Sequence, residues 1–311
     1  MTQRNDWPRI AVVGAGAVGS YFGAKFAQVG APVVFIGRKI FMDAVKANGL
    51  TIDRTDGKDQ IAVEATTNMS AVAAAGLVLF CVKSNDTVAA AKEMAPFLSP
   101  GALVISVQNG VDNVERIREA SKIEALPAAV YIAVSVSEPG RIKHLSRGDL
   151  ILGPDNDATQ RAQAIFSRAN IGCRITNNIA GEMWIKLLCN CALNSISALG
   201  RASYGQIANN ADARRIMQHV VDEVLAVASA AGITLPNISD SKAGMAAAMD
   251  IATQMAGAFS STAQDLQRGK TTEIDSLNGY IARRGAELGI DVPVNHALFT
   301  LVKLAENKAS G

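Results

Sequence analysis

Lys186, Asn190 and Asn194 recur at every fourth residue within Met183–Arg201, MWIKLLCNCALNSISALGR, a stretch otherwise rich in Leu, Ile, Trp, Cys and Ala and free of proline. That composition predicts a helix buried on most sides. At 100° per residue the three side chains drift only about 80° around the axis, and Ser197 and Arg201 fall in the same arc, so a narrow polar stripe runs along an apolar rod. A primary amide buried without partners costs roughly 1–3 kcal/mol, so two of them beside a lysine ask for a wet cleft or a ligand. A solvated face on a half-exposed helix is the alternative. The chemistry on offer is simple: an ammonium can give a proton to an oxygen that is gaining charge, and two amides can orient the molecule carrying it.

A second constellation opens the chain. The apolar run Ile10–Val13 leads into GAGAVG (Gly14, Ala15, Gly16, Ala17, Val18, Gly19) and then the apolar helix Val18–Val29. Strand, glycines and helix in that order form the context of a dinucleotide cradle. Gly14 allows the tight turn, Gly16 lets the backbone approach a pyrophosphate, and Gly19 lets the helix pack on the strand. The helix start supplies N–H groups and the positive dipole end to the phosphates. The second strand, Val33–Ile36, ends in Gly37-Arg38-Lys39. An NAD-specific protein would place an acidic residue near here for the ribose 2′-hydroxyl, whereas two cations suit a 2′-phosphate, so NADP is favoured over NAD. A surface basic pair with no ligand is the alternative reading of Arg38.

These side chains need a sheet to hold them. Short strands are expected at Leu50–Asp53 and Ile61–Glu64, around the turn ending at Gly57, and buried strands at Leu77–Val82 and Leu103–Val107. Lys83 follows the first of these buried strands, before a helix over Asp86–Leu98; Gln108-Asn109-Gly110 follows the second, before the helix Asn113–Ser121. Ligands of open α/β sheets gather at the carboxyl ends of strands, so Lys83 and Asn109 stand at the level of a cofactor. Each could equally cap a turn. Ala128–Val136, Arg141–Leu145 and Leu150–Leu152 read as antiparallel strands closing the sheet edge, separated by turns at Pro139-Gly140 and Arg147-Gly148. A helix over Ala158–Arg168 and a strand over Cys173–Thr176 complete the half. Tyr21 and Lys25 have the Tyr-x-x-x-Lys spacing of short-chain dehydrogenases, but they lie on the first helix, where they pack on the sheet.

Beyond Ile179 the strand patterns stop, and helices are expected at 179–200, 212–231, 239–257, 260–268, 273–288 and 295–307. The fold class is therefore α/β. A Rossmann-type dinucleotide-binding domain (1–178) precedes an all-helical substrate and catalytic domain (179–311), with the cleft between them. Ser261 and Asp265 lie one turn apart, and Glu273 opens a helical segment where an acidic residue also offsets the helix dipole. The three histidines, His144, His219 and His296, are too scattered for a triad or a metal set. Lys186 is thus the best candidate for a proton donor.

The bulk properties agree with two ordinary domains: 311 residues, 49% hydrophobic, 19% charged, mean hydropathy +0.17 and net charge +2. Scattered charges announce neither nucleic acid nor an anionic membrane, and no apolar run reaches the roughly 18–20 residues of a span. Four cysteines, at 81, 173, 189 and 191, lack metal spacing and read as reduced thiols of a cytoplasmic protein. The alanine-rich helices around 220–260 suit close packing against a second copy, a homodimer surface.

Taken together, the motifs resemble the ketopantoate reductase (2-dehydropantoate 2-reductase) family over nearly the whole chain. The matching pieces are GAGAVG, Arg38, Val82-Lys83, Gln108-Asn109-Gly110, Pro139-Gly140, the Trp184-x-Lys186-x-x-x-Asn190-x-x-x-Asn194 helix, Ser261-x-x-x-Asp265, Thr272-Glu273-Ile274-Asp275 and Asn278-Gly279. The resemblance implies NADPH-dependent reduction of the 2-oxo group of 2-dehydropantoate to (R)-pantoate. Lys186 would donate the proton, with Asn109, Asn190 and Asn194 orienting the substrate. Ser261 would meet its carboxylate, and Glu273 would accept a hydrogen bond from its hydroxyl. A reductase of another 2-oxo acid, a β-hydroxyacid dehydrogenase and a non-enzymatic NADP sensor are the alternatives. The second fits the Glu273 and Arg38 regions less well, and the third leaves the lysine–asparagine stripe without a purpose.

Overall fold

A computed structural model describes residues 6–309. The chain divides into two compact units, one built from the residues up to Gln108 with Asp112–Ile179, the other from Asn109–Val111 with the chain from Ala180 onward.

The first unit is a doubly covered sheet. It contains β1 (Ile10–Val13), α1 (Ala17–Gln28), β2 (Val33–Ile36), α2 (Lys39–Asn48), β3 (Leu50–Arg54), β4 (Gly57–Ile61) and β5 (Glu64–Thr66). After these come β6 (Leu77–Phe80), α3 (Thr87–Met94), β7 (Leu103–Ser106), α4 (Asn113–Ser121), β8 (Ala125–Glu138), β9 (Arg141–Leu152), α5 (Asp157–Arg168) and β10 (Cys173–Ile175). The strand order is β4-β3-β9-β8-β7-β6-β1-β2-β5, with β10 beside β9. β1, β2, β5, β6, β7 and the start of β8 form the parallel part. Its central strands β1, β2 and β6 are apolar on both faces because alternate residues serve different cores. Val12, Phe35 and Leu79 pack with Phe22, Phe26 and Phe166 of α1 and α5, whereas Val13, Ile36 and Phe80 pack with Met94 and Ile117 of α3 and α4.

Three expectations for this unit need correcting. Arg141–Leu145 and Leu150–Leu152 belong to one strand, β9, and Arg147-Gly148 is a bulge in its pairing with β8 rather than a turn, with Asp149 opposite Tyr131 and Arg147 opposite Ile132. Both bulge residues have positive φ (58° and 141°), and a Cβ on Gly148 would collide with the Tyr21 hydroxyl. Tyr21 stacks on His144 at 4.5 Å, so its ring faces the sheet from α1. Second, the sheet does not end at the β8–β9 hairpin, because β3 pairs in parallel with β9 and carries β4 beyond it. Third, Ile61–Glu64 is the junction between β4 and β5 rather than a strand.

The second unit is helical: α6 (Ile179–Gly200), α7 (Tyr204–Asn209), α8 (Ala211–Ala230), α9 (Ser241–Gln254), α10 (Ser261–Gln267), α11 (Asn278–Leu288) and α12 (Pro293–Ala309). The expected 273–288 helix is a 3-10 turn, Ile274–Ser276, and α11, separated at Leu277. α7 is a helix that the apolar periodicity did not announce. Trp184, Leu187, Leu188 and Leu193 of α6 share a core with Val220, Val224, Ile281 and Val302 of α8, α11 and α12.

A chain of buried polar groups threads this core. Glu223 accepts from the amides of Val294 and Asn295 (both 2.8 Å) and from Asn295 Nδ2 (2.7 Å), capping α12. Asn278 Nδ2 donates to Asn295 Oδ1 (2.9 Å) and to the Cys191 carbonyl (3.2 Å), while Ser195 Oγ donates to Asn278 Oδ1 (2.6 Å). Asn278 and Asn295 are fully buried, so truncating the central member strands its neighbours. Asn278→Ala should cost about 3 kcal/mol, read as a lower urea midpoint for loss of helical signal. A cost under about 1 kcal/mol would mean that water replaces the amide.

Among the described residues no helix is long and apolar enough to cross a membrane, and no group of His, Cys, Asp and Glu is placed to hold a metal ion. The four cysteines are free thiols, and burial pushes Cys173 and Cys189 up to about 12, so they stay protonated.

Candidate active site

In the first unit, the turn after β1 is folded back on the sheet: the amides of Gly14 and Ala15 both donate to the Ile36 carbonyl (2.9 and 3.1 Å), and Gly14 has φ +86°. A Cβ on Gly14 would lie 2.5 Å from the Val82 nitrogen, and one on Gly19 2.8 Å from a Val12 methyl, so both glycines are required by packing. Gly16 is different. Its φ is −87°, and a Cβ there would meet only the Gly14 carbonyl, at 3.9 Å. The protein's own packing does not demand a glycine at 16, so the open space fits a group outside the chain. Gly16 is also the N-cap of α1 and offers no side-chain acceptor, which leaves the first-turn amides, Ala17 and Val18 included, to an external anion. Residues and space both fit a dinucleotide pyrophosphate.

Arg38 caps α2 and is 82% exposed at its side chain, with Nη2 3.3 Å from Asp86 Oδ2; Lys39 pairs with Asp43 at 2.6 Å. An exposed pair of this kind is worth at most about 1 kcal/mol, so a phosphate dianion could displace Asp86 from Arg38. Lys83 is half-buried and heads the 3-10 turn Ser84–Asp86 without a side-chain cap bond. β6 and β7 are paired in register through Phe80 and Ser106, and Lys83 and Asn109 each follow three residues later. Below Lys83 lies a buried hydrogen-bonded cluster. Gln108 Nε2 donates to the Val82 carbonyl (3.0 Å) and Thr87 Oγ1 (2.7 Å), Ser106 Oγ donates to Gln108 Oε1 (3.0 Å), and Thr87 Oγ1 donates to Asn113 Oδ1 (2.9 Å). Gln108 thereby fixes the peptide that precedes Lys83.

In the second unit, the stripe on α6 has two regimes. Lys186 and Asn190 are half-buried, whereas Asn194 and Ser197 are buried (3% and 0% exposed). Ser197 is structural: its hydroxyl donates to the Ala202 carbonyl (2.8 Å) and accepts from the Ser260 amide (3.1 Å). Arg201 is exposed just past the helix at φ +49°, where the Ala202 amide returns to the Ser197 carbonyl at 3.2 Å and closes the helix end. Asn194 Oδ1 accepts from Tyr204 Oη at 2.9 Å, and its backbone carbonyl accepts from Ser260 Oγ at 3.0 Å. Ser260, not Ser261, caps α10; Ser261 is the next residue and is exposed.

Asn109 belongs to this unit, and its Nδ2 donates to Glu273 Oε2 at 3.3 Å across 164 residues of sequence. Glu273 stands at the start of the 3-10 turn but makes no side-chain cap bond to it. The helix expected to begin at Glu273 is here only a three-residue 3-10 turn, which leaves little dipole for the carboxylate to offset. The preceding residue is clamped: Thr272 donates through its amide (2.7 Å) and hydroxyl (2.6 Å) to Glu306 Oε1, and Glu306 Oε2 lies 2.8 Å from Lys303 Nζ. Burial raises the Glu306 carboxyl, and the Lys303 and Thr272 bonds outweigh it, leaving it lowered and charged. Asn278, five residues beyond Glu273, is bonded to α6 beside Asn190 and Asn194, at Cys191 and Ser195. One unit thus contains a lysine, three amides, a serine hydroxyl and a carboxylate, of which hydrogen bonds join Asn109 to Glu273 and tie Ser260, the neighbour of Ser261, to Asn194. The set can donate a proton, bind an anion and accept from a hydroxyl.

The sequence matches the family model described as ketopantoate reductase PanE/ApbA over residues 10–157 and that of its C-terminal domain over 178–306. The chain belongs to the ketopantoate reductase family. It is an oxidoreductase with the Rossmann-like and helical halves of that family. A 2-dehydropantoate 2-reductase of Halobacterium salinarum is 30% identical over 305 residues, covering 96% of this chain and 99% of the relative. A PanE/ApbA family ketopantoate reductase from Ralstonia eutropha is 41% identical, with a TM-score of 0.91 over 97% of this chain and 100% of its own. D-mandelate dehydrogenase, solved with NADH and anilino(oxo)acetate, shares the fold at 21% identity and a TM-score of 0.90, covering 97% of this chain and 100% of its own.

Sequence reasoning missed Tyr204, Ser260 and Glu306, which hold the candidate residues in place, and it gave Gln108 and Thr272 as motif pieces without a role. One had a local signal. Ser203 and Gln206 form a reciprocal capping box at the start of α7, a Ser-x-x-Gln pattern that marks a helix start and would have exposed Tyr204 as its first residue.

Proposed function

We propose that the chain reduces the 2-oxo group of 2-dehydropantoate to (R)-pantoate with NADPH. The observation carrying this reading is the Asn109–Glu273 hydrogen bond, which brings two distant motifs together in the unit that bears the Lys186, Asn190 and Asn194 stripe. Gly14, Gly16 and Gly19 with the first-turn amides of α1 hold the pyrophosphate, Arg38 the 2′-phosphate, and Lys83 and Asn109 the part nearer the nicotinamide. Bound NADPH supplies a hydride to C2. Ser261 and the amides of Asn190 and Asn194 hold the substrate carboxylate and keto group. As the carbonyl oxygen gains charge, the Lys186 ammonium stabilises it and passes a proton to it, completing the alcohol. Glu273 accepts from the substrate hydroxyl and so selects hydroxylated acids. Glu273, Asn109 and Lys186 form the catalytic set.

The test is NADPH oxidation across a panel of 2-oxo acids that includes 2-dehydropantoate, run in parallel with NADH. The expected result is highest kcat/KM for 2-dehydropantoate with NADPH; no turnover of any 2-oxo acid overturns the reading. Arg38→Ala should raise the KM for NADPH about ten-fold and leave that for NADH unchanged, since only the phosphate is lost from the contact. The neighbour solved with NADH and the Asp86 carboxylate beside Arg38 favour NAD as the second reading, which a wild-type preference for NADH would establish.

A further inference from the structure

Asn194 and Tyr204 form a pair whose orientation has a chemical consequence. Tyr204 is the first residue of α7, 8% exposed, and its Oη lies 2.9 Å from Asn194 Oδ1 on α6. α7 is itself anchored: the amides of Tyr204 and Gly205 donate to the carbonyls of Ala258 (2.9 Å) and Ala256 (2.8 Å), and Ser260 two residues on bonds the Asn194 carbonyl. The phenol therefore cannot drift from the amide. A side-chain amide can face a hydroxyl in two ways, and they differ in what they leave unpaired. With Nδ2 toward the phenol, the buried hydroxyl proton would have no acceptor, at the cost of an unmade buried hydrogen bond. With Oδ1 toward the phenol, the hydroxyl donates, the oxygen end of the amide is turned to a buried partner, and the N–H2 end faces away from it. Burial also pushes the Tyr204 phenol well above its ordinary value, so it stays a donor.

We propose that Tyr204 is a positioning residue that locks the Asn194 amide with its N–H2 as the end left for a ligand, so that this position takes only an acceptor oxygen, the carboxylate or keto oxygen of a 2-oxo acid. This rests on the reading of Asn194 as a substrate contact. Tyr204 touches no reacting atom; it acts by removing one of the two states of Asn194. Tyr204→Phe keeps the ring and restores both states.

The experiment is a double-mutant cycle on KM for the best 2-oxo acid, with NADPH binding measured alongside. Tyr204→Phe should raise KM about five-fold, with NADPH binding unchanged and kcat within about two-fold. Asn194→Ala should raise it at least as much, and the double variant should be no worse than Asn194→Ala, because Tyr204 has nothing left to orient. Additive losses, or an unchanged KM in either single variant, overturn the inference. A second readout needs no turnover: the Tyr204 hydroxyl proton, slowly exchanging in the wild-type ¹H spectrum, should be lost from it in Asn194→Ala. Persistence of that resonance also overturns the inference, whereas a wild type that turns over no 2-oxo acid while showing the resonance overturns only the substrate reading.

Discussion

Lys186→Ala should lower kcat by about 10²–10⁴ while leaving NADPH binding intact. The size follows from what the reaction requires. Hydride addition to a ketone drives a full negative charge onto oxygen, and among the proposed substrate contacts Lys186 is the side chain able both to neutralise that charge and to give up a proton. Its KM for the 2-oxo acid should change less than kcat, because the developing alkoxide gains more from a nearby ammonium than the neutral carbonyl does. Lys186→Arg separates the two contributions. A guanidinium keeps the positive charge but does not surrender a proton, so it should recover part of the loss and leave the rest. Small primary amines added to Lys186→Ala should restore measurable turnover. A Lys186→Ala enzyme with near-normal kcat would remove the lysine from the mechanism. The cradle residues sit in a different compact unit from Lys186, so NADPH binding should be unchanged, and an unchanged urea midpoint for loss of helical signal is the control that the helical unit is folded.

The parts of the fold legible in the sequence were those whose cause is local. Ile10–Val13 followed by GAGAVG and an apolar helix names its own geometry, and Asn113–Ser121 appears with the limits its flanking turn residues suggest. The β8–β9 region was misread because its cause is distant. Arg147-Gly148 has turn chemistry, yet it forms a bulge, where the ring of Tyr21, on a helix far earlier in the chain, leaves no room for a Cβ. The attachment of β3 to β9 is likewise a pairing between segments some ninety residues apart, with nothing in either to announce it. α7 is six residues long, too short for a 3.6-residue period to show.

The candidate site divides the same way. Lys186, Asn190 and Asn194 stood out because polar residues at helical spacing conflict with the apolar helix around them. Their supports did not. Ser260, Thr272 and Glu306 are ordinary residues by type, and they matter only through partners that are distant in sequence, as in Ser260 to Asn194 and Glu306 to Thr272. Glu273 fell between the two cases. Its type and position are those of a helix-dipole residue, and only the shortness of the 3-10 turn behind it, together with the donation from Asn109, favours another role.

Glu273→Ala should therefore reduce kcat/KM for hydroxylated 2-oxo acids about 10- to 100-fold and for unhydroxylated ones much less. A hydrogen bond to a charged group is worth about 1.5–3 kcal/mol, which gives that range if the carboxylate binds the substrate hydroxyl. One oxygen of Glu273 already accepts from Asn109, and a carboxylate has acceptor capacity for further donors, so the two bonds are compatible. The difference between substrate classes is the informative quantity. If Glu273 only positions Asn109, its removal harms every substrate alike, because Asn109 would contact all of them. If it meets the hydroxyl, a substrate without one has nothing to lose there. Glu273→Gln sharpens the comparison, since an amide can still accept from Asn109 through its oxygen but faces the substrate hydroxyl with N–H groups. It should spare unhydroxylated acids more fully than Glu273→Ala and still discriminate poorly in favour of hydroxylated ones. Equal losses for both substrate classes in both variants would make Glu273 a structural partner of Asn109 and would shift the selection of the hydroxyl to the Ser261 and Asp265 end of α10.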